Sequence, residues 1–219
     1  MAFVRDDNNM LIDEGKRYSF FPSNRFTLSV DKENALKAGT ITAKEKSRCA
    51  DQITFEFSTE RDPALTRDEV MMMDIVANND WKRGIFFSSS RGSSFSVALL
   101  SSGFIKQVGM AYELSPLKEE PMFYNVSKMM KNMMNVYEYG DMANPKVLTD
   151  YYARRHTVQY RSNFLLLAEQ LLNRKQKNKA IQVLDYSLKL MPLETVLDFG
   201  EVNSCDPFMS LKYNERDQE

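Results

Sequence analysis

The residues of this chain whose types and spacing could do chemistry gather in one stretch, DIVANNDWKRGIFF, from Asp74 to Phe87. Asp74, Asn78, Asn79 and Arg83 offer carboxylate, amide and guanidinium groups beside Trp81, the single tryptophan of the sequence. An aromatic face ringed by such groups suits a sugar, whose C–H bonds lie on the ring while its hydroxyls meet the polar edges. The same residues read equally as architecture. Asn78 and Asn79 can end a buried helix, Trp81 can seal a core, and Asp74 can pair with Arg83 or a backbone amide. Because buried polar groups are as a rule satisfied ones, the junction reading is favoured and the five residues stand as a candidate ligand-binding set. Asp74 and Asp80 could also be imagined as a glycosidase pair. That chemistry needs two carboxylates held about 5 to 10 Å apart across a glycosidic bond, and two acids at a helix end do not establish the separation.

Other chemistry-bearing residues give weaker signals. SSSRGSS lacks the G-x-S-x-G frame of a nucleophile elbow, and neither it nor SSGF ends in the Gly-Lys-Ser of a phosphate loop. Met71 to Met73 and the MMKNMM run could form a soft, adaptable surface, but their helical spacing favours core filling. His156 is the only histidine, so a conventional zinc site would rest almost wholly on carboxylates. Cys49 and Cys205 are far apart and belong to no CxxC motif, which points to unpaired thiols. No cofactor or metal is expected. With 29 basic and 30 acidic residues the chain has no broad positive field for nucleic acid. It contains no run of about 20 apolar residues that could span a bilayer, and its start has no signal-peptide core. The expectation is a chain soluble as written, without an export address of its own.

The elements that must position the candidate set can be read outward from it. Hydrophobic residues make up 43% and charged residues 27%, as in ordinary globular domains. RFTLSV and QITFEF alternate like strands, Arg25 to Val30 and Gln52 to Phe57, on either side of a lysine-rich surface excursion. LTRDEV is a helix start: Thr66 can cap the free amides, Glu69 can return the bond, and Leu65 can staple to Val70. The following helix, EVMMMDIVANND, is apolar on nearly every side, which predicts burial between layers. GIFFSS then reads as a strand covered on both faces, FSVALL as a short helix, and QVGMAYELSP as a further strand closed by Pro116. This alternation predicts an α/β body with a small mixed or partly parallel sheet, Ala2 to Lys118.

Beyond Pro121 the pattern turns helical. Val126, Met129, Met130, Met133, Met134 and Tyr137 fall on one stripe. Asn144 and Pro145 resemble a cap and first helical position for a helix running to Asn173. A second, antiparallel helix, NKAIQVLDYSLKL, is stopped by Pro192. Within the unit Arg161 to Glu194, Phe164, Leu167, Ala168, Leu171, Ala180, Leu184, Ser187 and Pro192 occupy the signature positions of a tetratricopeptide repeat. The inner-face positions Ser162, Leu165, Glu169 and Leu172 do not form a carboxylate clamp. The helical part is therefore placed at Glu119 to Pro192, with an irregular tail from Leu193 to Glu219.

The order PSNRFTLSVDKENALKAGTI, TRDEVMMMDIVANNDWKRGIFF, VGMAYELSP and YRSNFLLLAEQLLNRKQKNKAIQVLDYSLKLMP resembles the soluble C-terminal part of a family of bacterial multi-spanning membrane proteins. Their membrane half is similar to protein O-mannosyltransferases of the GT-C type, and their extracytoplasmic tail ends in tetratricopeptide-like helices. The resemblance runs from Ser23 to Pro192. Two departures stand out: Gly84 occupies a position where the family usually has proline, and the helical repeat ends early at Pro192. The resemblance implies an extracytoplasmic, periplasmic-face domain that is noncatalytic alone, since the GT-C acids belong to the membrane half. It implies as partners that membrane half and, beyond it, another envelope protein or a glycan, in substrate engagement or assembly. A carbohydrate-binding module using the Trp81 region is the alternative, and an independent hydrolase the third.

Overall fold

The computed structural model describes residues 10–19, 23–58, 65–120, 123–144, 146–147 and 150–192, with side chains throughout except at 10–13, 16–19, 151 and 153–155. The chain divides into two compact units, Met1–Lys106 with Ala111–Phe123, and Gln107–Met110 with Tyr124–Glu219.

The first described elements of the first unit are an antiparallel hairpin, β1 (Met10–Asp13) and β2 (Lys16–Ser19). A second antiparallel pair joins β3 (Arg25–Ser29) to β4 (Gln52–Glu56), from Arg25↔Glu56 to Ser29↔Gln52. Alternation along β4 buries Ile53 and Phe55 and leaves Gln52 and Glu56 in solvent. Between these strands the expected surface excursion contains α1 (Lys32–Lys37). Asp31 caps it, one carboxylate oxygen accepting from the amides of Glu33 and Asn34 at 2.9 Å each.

Helix α2 (Arg67–Asn79) starts where LTRDEV places it, and its capping carboxylate also reaches a second helix. Glu69 Oε2 accepts from the Thr66 amide and hydroxyl, both at 3.0 Å, while Oε1 accepts from the Ser94 amide at 2.6 Å. Ser94 opens α3 (Ser94–Ser101), whose own cap is a reciprocal pair between Ser93 and Ser96. One buried carboxylate thus ties two helix N-termini, where the backbone dipoles favour negative charge. Burial alone would raise the Glu69 pKa, but the bonds from Thr66 and Ser94 outweigh it and hold the carboxyl below the ordinary glutamate value.

Phe95 of α3 completes an aromatic cluster with both strands of the second pair. Its ring lies 5.4 Å from Phe55 and 6.4 Å from Phe57, and Phe55 stacks on Phe26. The remaining strands, β5 (Phe86–Phe87), β6 (Ile105–Gln107), β7 (Tyr112–Leu114) and β8 (Phe123–Tyr124), form a small mixed sheet in the order β5-β7-β6-β8, with β5 and β7 antiparallel.

Three expectations are corrected here. Helix α2 is not buried all round: Met71 is 50% and Ile75 61% exposed, because only the Glu69 and Val76 side meets the core. GIFFSS yields a two-residue strand at the sheet edge, where Phe87 packs inward on Phe95 and Phe86 faces solvent, so it is not covered on both faces. QVGMAYELSP is not one strand. Its first residue ends β6, and Gly109, at φ +131°, lies in the turn before β7.

Among the described residues the second unit is mainly helical. Helix α4 (Val126–Lys131) passes into a π-helical turn, Asn132–Val136, and Met129 and Met133 of the expected stripe are fully buried. Core filling therefore holds for these methionines, whereas Met71 of α2 faces solvent. Helices α5 (Tyr151–Asn173) and α6 (Lys177–Leu190) pack together as a hairpin. Helix α5 opens at Tyr151 rather than at Asn144, and Pro145 lies outside the described residues. Phe164, Leu167, Ala168, Leu171, Ala180, Leu184 and Ser187 are all buried along the hairpin seam. Arg161 Nη2 donates to the Met191 carbonyl at 3.1 Å, tying the end of α6 to the middle of α5.

Glu69→Ala, by removing a buried cap shared by two helices, should cost about 1–3 kcal/mol in denaturant unfolding, and Thr66→Ala about 0.5–2. With the folded-state pKa lowered, the Glu69 contribution is complete above the ordinary glutamate value and is lost as pH falls through the folded-state pKa. Wild type should therefore lose more of its unfolding free energy than Glu69→Ala on acidification. Gly103, at φ +81°, has the Glu119 carbonyl oxygen 2.0 Å from where a Cβ would stand, whereas Gly140, at φ +67°, has nothing within 4 Å. Gly103→Ala should accordingly lower the melting temperature well beyond Gly140→Ala, whose cost is the left-handed backbone alone, on the order of 1 kcal/mol.

Candidate functional site: a cavity at the Trp81 turn

The stretch from Asp74 to Phe87 folds as the end of α2, a tight turn and the entry to β5. The turn is made by two successive left-handed residues, Asp80 at φ +51° and Trp81 at φ +58°. Asparagine and aspartate tolerate that region, but a bulky aromatic rarely adopts it, so the surroundings must hold Trp81 there. They do so through several bonds. The indole Nε1–H donates to the Ser29 carbonyl at 2.9 Å, and the Asn34 amide donates to the Asp80 carbonyl at 3.0 Å. Asn79 Nδ2 donates across the turn to the Arg83 carbonyl at 2.7 Å.

These bonds place the sequence-derived candidates unequally. Trp81 is only 7% exposed and belongs to the core cluster with Val76, Ala35 and Leu114, so it does not present an open stacking face. Asn78 is spent within its own helix, donating to the Asp74 carbonyl at 2.8 Å. Asn79, Trp81 and Arg83 come together on the wall of a cavity of about 270 Å³, and Asp74 and Asn78 are not on that wall. Asp80 also lines it, its carboxylate 3.2 Å from Lys82 Nζ.

The rest of the wall comes from elements that sequence spacing did not connect with the turn. Thr27, Leu28 and Ser29 are contributed by β3, Val76 by α2, and Leu114 by β7. Pairing of β3 with β4 and the bond from Trp81 to Ser29 bring that strand to the turn. Only the alternation in RFTLSV hinted at a β3 face, and nothing in the sequence indicated what it would face.

Other flagged residues fall elsewhere. His156 is exposed and stacks on Tyr160 at 6.4 Å. Cys49 is free and buried, with burial pushing its thiol up, while Cys205 lies outside the described residues. Among the described residues, no group of His, Cys, Asp and Glu is arranged to hold a metal ion. A buried lysine, Lys106, passed unnoticed in the sequence. Its ammonium lies 3.6 Å from the Glu119 carboxylate and 5.2 Å from the centre of the Phe123 ring. Desolvation lowers its pKa, and the neighbouring Glu119 opposes the shift.

The family model for TMEM260-associated domain 2 matches residues 1–137. The chain belongs to this family. The matched region includes α2, the Trp81 turn, β3 and β7, and hence the cavity wall described above. A domain associated with TMEM260 is linked to a membrane protein family, and no helix among the described residues of this chain is long and apolar enough to cross a membrane. No curated protein and no solved structure matches the chain.

Trp81→Ala should cost about 3–5 kcal/mol in chemical unfolding, as expected for a large core aromatic. Trp81→Phe should recover much of the packing but leave the Ser29 carbonyl without its indole donor, giving an intermediate loss. Acrylamide should quench the fluorescence of the wild-type indole weakly in the folded chain and strongly after unfolding.

Proposed function

We propose that this chain is a noncatalytic domain of a membrane glycosyltransferase-like protein, placed on the extracytoplasmic face and serving substrate engagement or protein interaction. The observation that carries this reading is how the Asp74 to Phe87 stretch spends its polar groups. The Trp81 indole, the Asn78 and Asn79 amides and the Asp80 carbonyl are all committed to internal bonds that shape a junction. Such commitment suits a scaffold, since donors spent on internal bonds are not offered to a ligand. Membership of the TMEM260-associated domain family supports the association with a membrane protein.

The similarity to the extracytoplasmic tail of O-mannosyltransferase-like proteins supports the glycosyltransferase context and the tetratricopeptide-like reading of α5 and α6. On that reading the catalytic acids reside in the membrane half, and the helical hairpin supplies packing or an apolar contact with another chain.

The reading predicts that the purified chain transfers no sugar from lipid-linked donors to acceptor peptides and releases none from aryl glycosides, with Asp74→Asn indistinguishable from wild type. It predicts also that the chain co-elutes with a detergent-solubilised membrane half of a full-length family member. Turnover abolished by Asp74→Asn, or no association across a range of detergents, would reverse it.

A further inference from the structure

We infer that the cavity at the Trp81 turn is a binding site for a monosaccharide-sized ligand bearing a carboxylate or phosphate, with Arg83 as its anion-recognising residue. The inference is independent of whether the chain serves a glycosyltransferase. At about 270 Å³ the cavity falls just below the range of drug-sized pockets, a volume that suits one sugar ring.

Its wall has the two textures such a ligand needs. Val76, Leu114 and the largely covered Trp81 close its inner end as an apolar floor against which the edge of a ring can rest, without an open stacking face. Thr27, Ser29 and Arg83 are exposed and supply polar groups on the solvent side. The Thr27 hydroxyl is engaged with Thr54 at 3.1 Å, but the Ser29 hydroxyl makes no hydrogen bond among the described residues.

Charge selects the ligand further. Of the two ionised groups on the wall, Asp80 is paired with Lys82, whereas the Arg83 guanidinium has no carboxylate partner among the described residues. The local balance is therefore positive, and the planar fork of arginine matches the two oxygens of a carboxylate or phosphate. The backbone that carries it is fixed from behind. Asn79 holds the Arg83 carbonyl at 2.7 Å, and the left-handed pair before it is held by Ser29 and Asn34, so the backbone carrying the guanidinium is already in place before any ligand arrives. A strained aromatic turn on the wall of a cavity is the kind of feature that functional sites retain.

The experiment is a titration of the full chain, read by the fluorescence of Trp81 and in parallel by calorimetry, with glucuronate, glucose 6-phosphate, glucose and inorganic phosphate as probes. The expected result is saturable binding of one or both acidic sugars, with glucose and inorganic phosphate each weaker by about tenfold or more because each lacks half of the recognition. Arg83→Gln should weaken the acidic sugar by at least about tenfold without moving the thermal midpoint, Arg83→Lys should fall between, and added salt should weaken wild type more than Arg83→Gln. No heat and no fluorescence change with either acidic sugar, equal affinity for glucose, or unchanged affinity in Arg83→Gln would each overturn the inference.

Discussion

The first unit depends on the Glu69 carboxylate more than on any other polar group. It is buried, yet it accepts from the amide and hydroxyl of Thr66 and from the Ser94 amide, so both of its oxygens are engaged. A lone buried carboxylate would be destabilising, and only the convergence of two helix N-termini makes this one favourable. The bond fixes the start of α2 against the start of α3. Packing from α3 then sets Phe95 into the Phe26, Phe55 and Phe57 cluster, and the far end of α2 delivers the Trp81 turn to β3. Both ends of α2 are thus determined by polar bonds, while its middle meets the core along one side.

That division explains what the sequence disclosed. The capping box was legible because its chemistry is local: a hydroxyl, an amide and a carboxylate within one turn. The Val126, Met129 and Met133 stripe and the α5 and α6 pattern were legible because period and burial agree. Helix α2 misled because methionines and isoleucine signal hydrophobicity without saying whether a neighbour exists. Met71 and Ile75 face solvent, and only the tertiary arrangement decides that. GIFFSS misled for a related reason, since its apolar run could not reveal that β5 is a two-residue edge strand.

The candidate site was half legible. Asn79, Trp81 and Arg83 were singled out from residue type and do share one cavity, whereas Asp74 and Asn78 were singled out on the same grounds and lie off its wall. Helical periodicity separates them, because Asp74 and Asn78 are four residues apart on one face of α2, while Asn79 ends the helix on a different face and Trp81 and Arg83 lie beyond it. The opposite wall, from Thr27 to Ser29, was invisible because strand pairing is non-local and β3 gave no sign of its neighbours.

The indole bond spans a long interval of chain. Ser29 and Trp81 are 52 residues apart, and the Asn34 bond to the same turn spans 46. Closing loops of this length carries an entropic cost that the contacts at the turn have to offset. A fragment beginning downstream of Val30 would keep every residue of the Asp74 to Phe87 stretch and yet lack the carbonyl that receives the indole proton. Its left-handed tryptophan would then keep only the neighbouring bonds from Asn34 and Asn79 and would lose the one that holds the indole itself. Any dissection of this protein that aims to preserve the turn has to retain the strand that precedes it by half a hundred residues or so.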